Sequence, residues 1–182
     1  MTYDITGKKV AFLLTDGYED SELTSPWEAV TAAGGVATLV SPTDGSVSGK
    51  NGHSQSVDAA ASGADASDYD ALVLPGGQMN PDILRTDKDV VAFVKEFAGS
   101  GKVVAAICHG PWLLVEADVV RGKRVTSWPS VQTDLKNAGA HWEDSEVVTD
   151  HGLITSRKPD DIPAFNKKIV EEMLEPQHGG NS

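Results

Sequence analysis

A single cysteine, Cys108, stands in 182 residues. No intramolecular disulfide can form, and a zinc site built from several thiolates is excluded. Basic residues are also short: 15 Lys and Arg face 27 Asp and Glu, a net charge of −12. Phosphate backbones and anionic bilayers attract basic faces, so neither nucleic acid nor a membrane is an expected partner. The acidic balance reads instead as a solubility device. No apolar run is long enough to span a bilayer. The first ten residues, MTYDITGKKV, lack the cationic and apolar pattern of a secretion signal. A cytoplasmic protein is expected, where a lone thiol stays reduced. The histidines (His53, His109, His141, His151, His178) are scattered, with none at ligand spacing from another or from the cysteine. No metal and no cofactor are expected.

What is present is an alternation of apolar runs and amphipathic stretches. The length suits one domain, taken as residues 1–182 with Glu175–Ser182 as a mobile tail. Lys9–Leu14 is a short apolar run closed by Thr15-Asp16-Gly17. Ser21–Ala33 predicts a helix with Leu23, Trp27, Val30 and Ala33 near one face, stopped by Gly34-Gly35. Val36–Val40 predicts a strand, and the Gly-, Ser- and Asp-rich residues 43–68 a short hairpin and a polar loop. Tyr69–Leu74 is a strand running into Pro75-Gly76-Gly77, and Asp87–Ala98 a helix. Lys102–Ile107 is a continuous apolar strand of the kind buried on both faces of a parallel sheet. It runs straight into Cys108-His109-Gly110-Pro111 and a helix to about Ala117. Val125–Trp128, Trp142–Thr149 and Leu153–Ser156 read as strands, and Val131–Ala138 and Ile162–Leu174 as helices. The alternation predicts an α/β fold with a mainly parallel sheet covered on both faces. Ligands in such folds sit beyond the carboxyl ends of the strands. Thr15–Glu22, Pro75–Asp82 and Cys108–Pro111 fall there.

Cys108 follows a strand and opens a helix. A helix N-terminus lowers a thiol's pKa, and a tight strand–turn–helix projects its side chain outward. Gly110 relieves crowding after the turn, and Pro111 suits a first helical turn. The bland alternative is a small buried hydrophobe. His109 can take a proton from the thiol, or it can be a solvent-facing loop histidine. Glu19, in the acidic run Asp16–Glu22, is either a helix-capping carboxylate or a carboxyl beside Cys108 that, when protonated, donates to the thiolate. Pro75-Gly76-Gly77 is either a plain loop or a turn whose N–H groups serve an oxyanion. Asp82 follows it and could orient His109, although its spacing alone proves nothing.

Together these segments resemble the PfpI family within the ThiJ/PfpI superfamily. The matching stretches are Tyr18–Leu23, Tyr69–Gly77 and Ala106–Pro111, followed by Val125–Pro129, Asn137–Ala140 and Ser156–Asp161. The Cys-His-Gly-Pro element is the specific part, and the resemblance runs from about Lys9 to Leu174. It implies a three-layer α/β/α sandwich of the class I glutamine amidotransferase-like (flavodoxin-like) type. It implies Cys108 as nucleophile, His109 as its base, Glu19 hydrogen-bonded to the cysteine, and an oxyanion hole from backbone N–H groups near Gly76, Gly77 and His109. In protease-like members an acidic residue after the Pro-Gly-Gly turn completes a triad across a subunit interface. Asp82 is the candidate here, on a turn that looks longer and carries Asp rather than Glu. A homo-oligomer is therefore implied.

The family's described activities include cysteine proteases, glutathione-independent glyoxalases, deglycases and stress proteins. Fold does not choose among them. The leading expectation is a stress-protective enzyme acting on reactive dicarbonyls or glycated amino groups through Cys108 and His109. Peptide hydrolysis at the same thiol is the second. The third is a non-catalytic redox sensor, since accessible acidic thiols oxidise readily and no second cysteine is present to resolve the product.

Overall fold

The computed structural model describes residues 3–175. All of the expected tail except Glu175 lies outside the described residues. The chain forms β1 (Lys9–Leu13), α1 (Asp20–Ala32), β2 (Val36–Ser41), the hairpin strands β3 (Ser46–Ser48) and β4 (Ser54–Ser56), and β5 (Ala59–Ala60). It continues with β6 (Ala71–Leu74), α2 (Met79–Leu84), α3 (Lys88–Gly99), β7 (Val103–Ile107) and α4 (Pro111–Glu116). The last elements are β8 (Arg124–Val125), α5 (Gln132–Asn137), β9 (His141–Trp142), β10 (Val148–Asp150), β11 (Leu153–Ser156) and α6 (Ile162–Met173). The main sheet has seven strands in the order β10-β11-β7-β6-β1-β2-β5. Every pairing in it is parallel except β10 with β11.

The apolar strands work by alternation. Ala11, Leu13, Leu72, Leu74, Val104 and Ala106 face a core shared with Val90, Phe93, Val94 and Phe97 of α3 and Leu113 and Leu114 of α4. Val10, Phe12, Ala71, Val73, Ala105 and Ile107 face the opposite core, with Leu23 and Val30 of α1 and Phe165, Ile169 and Met173 of α6. Two helical layers therefore sandwich one mostly parallel sheet, and central strands buried on both faces need the continuous apolar runs seen in the sequence.

Three expected elements change. The stretch after Pro75-Gly76-Gly77, expected to be a turn, holds α2, because Pro81 falls in the first helical turn, where its missing N–H costs nothing. Trp142–Thr149 is not one strand. Its first residue, Trp142, pairs in β9 with β8, and Val148 and Thr149 pair in β10 with β11, with Glu143–Val147 between. Of Val125–Trp128, only Val125 is paired as strand. Thr126 instead donates its N–H to Thr155 Oγ1 at 2.9 Å, and Trp128 donates its N–H to the Cys108 carbonyl at 3.0 Å. Residues 43–68 hold the expected hairpin, pairing Ser46 with Ser56 and Ser48 with Ser54.

In the sheet β1 lies between β6 and β2, so the chain leaves β1 for one neighbour and returns to the other side for β6 and β7. That reversal opens a crevice beyond the carboxyl ends of β1, β6 and β7.

Candidate active site

β7 ends at Ile107, and the next residue, Cys108, has φ +64. A left-handed conformation is strained for a residue with a side chain and persists only where its surroundings hold it. Here the Cys108 N–H donates to the Ser156 carbonyl and its own carbonyl accepts from Trp128 N–H, both at 3.0 Å. Gly110 permits the bend: a Cβ there would lie 2.5 Å from the Leu74 carbonyl oxygen. The thiol is thereby turned into the crevice, 7% exposed.

The Pro75-Gly76-Gly77 loop leans on this turn. A Cβ on Gly76 would meet Glu22 Oε1 at 2.6 Å and Cys108 Cβ at 2.8 Å. Gly77 takes φ +76. The N–H groups of Gly77 and His109 donate to the sulfur. Gly76 is different: its N–H donates to Glu22 Oε1 at 2.8 Å, so it is committed to the carboxyl rather than to an oxyanion. His109 Nδ1 lies 3.2 Å from Cys108 Sγ. Trp112 and Trp128 wall the imidazole, with ring centroids at 5.0 and 6.0 Å.

The carboxyl at the thiol belongs to Glu22, not to Glu19. α1 begins at Asp20, so Glu22 falls on the inward stripe with Leu23, Pro26 and Val30 and is fully buried. Its side chain meets the Cys108 thiol. Glu19 occupies the N-cap position of α1 and turns to the cleft mouth. There it pairs with Lys50 Nζ at 2.5 Å and accepts from Asn51 Nδ2 at 3.3 Å. Asp82 is exposed on α2 and is not among the residues lining the Cys108 cleft.

Asn80, missed in the sequence, holds the site together. It is fully buried, accepts from Thr15 N–H at 2.8 Å, and donates to the Pro75 and Gly76 carbonyls at 3.1 Å each. One amide thus ties the end of β1 to the turn that supplies the N–H groups of Gly76 and Gly77.

The electrostatics depart from the sequence expectation of an acidic thiol. Burial, and then the facing Glu22 carboxylate, push the Cys108 thiol up to about 12, against the N–H groups of Gly77 and His109 and the Lys50 ammonium. Burial pushes Glu22 up to about 8. At neutral pH Glu22 therefore holds a proton, and its repulsion of the thiolate is removed. Its Oε2 is buried without a hydrogen-bond partner. Burial, and next Lys50, hold His109 below its ordinary value, which favours the neutral imidazole.

Around these groups lies a cleft of about 450 Å3, lined also by Gln78, Ser130 and Pro159. Among the described residues, no group of three or more His, Cys, Asp or Glu is arranged to hold a metal ion, and no helix is long and apolar enough to cross a membrane.

Comparison with known proteins gives a consistent result. The DJ-1/PfpI family profile matches residues 8–172. An Escherichia coli K12 protein named protein/nucleic acid deglycase 2 is 48% identical, covering 90% of this chain and 96% of its own length. A Bacillus subtilis 168 protein, YraA, named as a candidate cysteine protease, is 46% identical with the same coverages. Among solved structures, a two-domain Anabaena variabilis protein with DJ-1/ThiJ/PfpI-like and ferritin-like domains superposes with a TM-score of 0.89 at 37% identity. That match covers 96% of this chain and 52%, about half, of the larger protein. The mostly parallel sandwich, the cysteine at its strand-to-helix turn and these relatives agree: the chain belongs to the DJ-1/PfpI family.

Proposed function

We propose that this chain is a cysteine-dependent enzyme acting on reactive dicarbonyls or on their early adducts with amino groups. One observation carries the reading: a buried thiol lies between two backbone N–H donors and a fully buried carboxyl, whose burial pushes it up to about 8. Such a site suits a small electrophile brought to the sulfur, because a protonated carboxyl stabilises the thiolate without adding charge.

The steps balance with these groups alone. His109 takes the thiol proton, and the thiolate adds to the aldehyde carbon. The N–H groups of Gly77 and His109 receive the developing oxygen, which then takes the proton back from the imidazolium. With methylglyoxal, His109 carries the proton of the hemithioacetal carbon to the neighbouring carbon by way of an enediol, while the hydroxyl proton passes to the former ketone oxygen. This gives a thioester of a 2-hydroxy acid, which water hydrolyses to lactate and free thiol. With a glycated amine, the C–S bond forms as the C–N bond breaks, and the amine leaves with the proton from His109. The relative named as a deglycase favours this chemistry. Among the described residues no carboxylate of the same chain bonds the His109 ring, and in this reading the exposed Asp82 serves the site of a second copy.

Peptide hydrolysis is the second reading. It is favoured by a neighbouring cleft of about 630 Å3, lined by Asp16, Gly17, Ser48, Gly49 and Met79, which shares Lys50 and Gln78 with the Cys108 cleft. An extended chain could occupy both.

The test is lactate formation from methylglyoxal without glutathione, in wild type and Cys108→Ser. Turnover in the first alone supports the dicarbonyl reading. No lactate from wild type overturns it, and hydrolysis of a peptide library by the same two proteins then decides the second.

A further inference from the structure

The hairpin loop at the mouth of the cleft is braced with unusual thoroughness for an exposed segment. Lys50 N–H donates to the Tyr18 carbonyl at 2.9 Å, and Gly17 N–H to the Ser48 carbonyl at 2.8 Å. Asp20 accepts from the N–H groups of Asn51 at 3.2 Å and His53 at 2.9 Å. Asp16 accepts from Ser48 N–H at 2.8 Å, and the Tyr18 hydroxyl donates to the His53 carbonyl at 3.1 Å. Gly49 allows the close approach, since a Cβ there would lie 1.9 Å from Asp20 Oδ1.

This support presents one side chain to the site. Lys50 is 53% exposed, with its Nζ 2.5 Å from Glu19 Oε2, and it lines the same cleft as Cys108, His109 and Glu22. It is the one permanent cation among the lining residues. An ammonium has three N–H donors, and Glu19 occupies one. Exposed lysines are ordinarily solvated and unanchored. A backbone fixed at both ends of its loop makes this one a built feature.

We propose that Lys50 is the anion-binding arm of the Cys108 cleft and holds the carboxylate of a small 2-oxo or 2-hydroxy acid beside the thiol. The inference rests on Cys108 being the reacting group and deepens the reading above, in which the product is a 2-hydroxy carboxylate released into this cleft. Two carboxyls oppose an arriving anion. Glu19 is neutralised by Lys50 itself, and Glu22 is protonated at neutral pH. The remaining ammonium donors are therefore left to a ligand.

The experiment compares the rates at which Cys108 is alkylated by iodoacetate and by neutral iodoacetamide, at low ionic strength. Iodoacetate is a 2-substituted acetate with the size and charge of the proposed ligand. The same thiolate attacks both reagents and displaces iodide, so their rate ratio cancels the acidity of the thiol and reads the charge that the reagent meets. Lys50→Met is expected to lower the iodoacetate/iodoacetamide ratio about fivefold, as expected of one charge in a half-exposed cleft. Lys50→Arg should keep the ratio, Glu19→Gln should raise it, and added salt should erase the differences. An unchanged ratio in Lys50→Met, or a fall in Glu19→Gln, overturns the proposal. The readout needs no turnover of methylglyoxal. A ratio that shifts in an inactive enzyme removes the proposed reaction and keeps the Lys50 assignment, and an unchanged ratio in an active enzyme does the reverse.

Discussion

Replacing Glu22 by Gln tests the proton that the site is built around. Gln keeps an oxygen to accept from Gly76 N–H and puts an N–H where the acid would carry its O–H, so it imitates the neutral carboxyl. The folded protein releases the Glu22 proton near pH 8, and an unperturbed glutamate releases it near 4.5. Between those values the folded state binds more protons than the unfolded chain, so stability falls as pH rises. The window is about 3.5 pH units wide. At ~1.4 kcal/mol per unit that is about 5 kcal/mol in full, of which about 3 kcal/mol is lost between pH 5 and pH 8. The assay is urea unfolding of wild type and Glu22→Gln at pH 5, 6, 7 and 8. Every other ionisable group is common to both proteins, so the difference isolates Glu22. The two should be similar at pH 5, and the Gln variant should be the more stable by about 3 kcal/mol at pH 8. A difference that stays constant across the range would refute a protonated buried Glu22.

Three further outcomes follow from the same geometry. His109→Ala should lower methylglyoxal turnover by about 10²- to 10⁴-fold while iodoacetamide still labels Cys108; labelling stoichiometry by mass spectrometry separates this from loss of the thiol. Asn80→Leu leaves Thr15 N–H and the Pro75 and Gly76 carbonyls unpaired. At about 1 kcal/mol or more per buried group, urea unfolding should show a loss of about 3 kcal/mol. Gly76→Ala forces a methyl to 2.6 Å from Glu22 Oε1 and 2.7 Å from the Ile107 carbonyl. It should cost about 1–3 kcal/mol of stability and most of the turnover, read by thermal unfolding and lactate formation.

The layered sheet was legible because its central strands are continuous apolar runs, and Cys108-His109-Gly110-Pro111 was legible because those four residues describe their own turn. Glu22 was not separated from Glu19, since both stand in one acidic run whose function depends on where α1 starts. A start at Asp20 puts Glu19 at the cap and Glu22 four residues before Pro26 on the buried stripe. A carboxylate at helical spacing from Pro26 and Val30 was the available signal. Asn80 carried no such signal. Its partner Thr15 is 65 residues away along the chain, and only the fold brings them together. The thiol's acidity was misjudged for the same reason: the helix start is local, but the burial and the facing carboxyl that outweigh it are tertiary.

The central claim is that Cys108 is the atom that meets the substrate. Wild-type protein is mixed with methylglyoxal, quenched in acid within the first turnovers, and digested for mass spectrometry. The account predicts one dicarbonyl equivalent on the peptide carrying Cys108, absent from Cys108→Ser and slower to form in His109→Ala. Adducts found only on lysine and arginine peptides, with the Cys108 peptide unmodified while lactate forms, would contradict it.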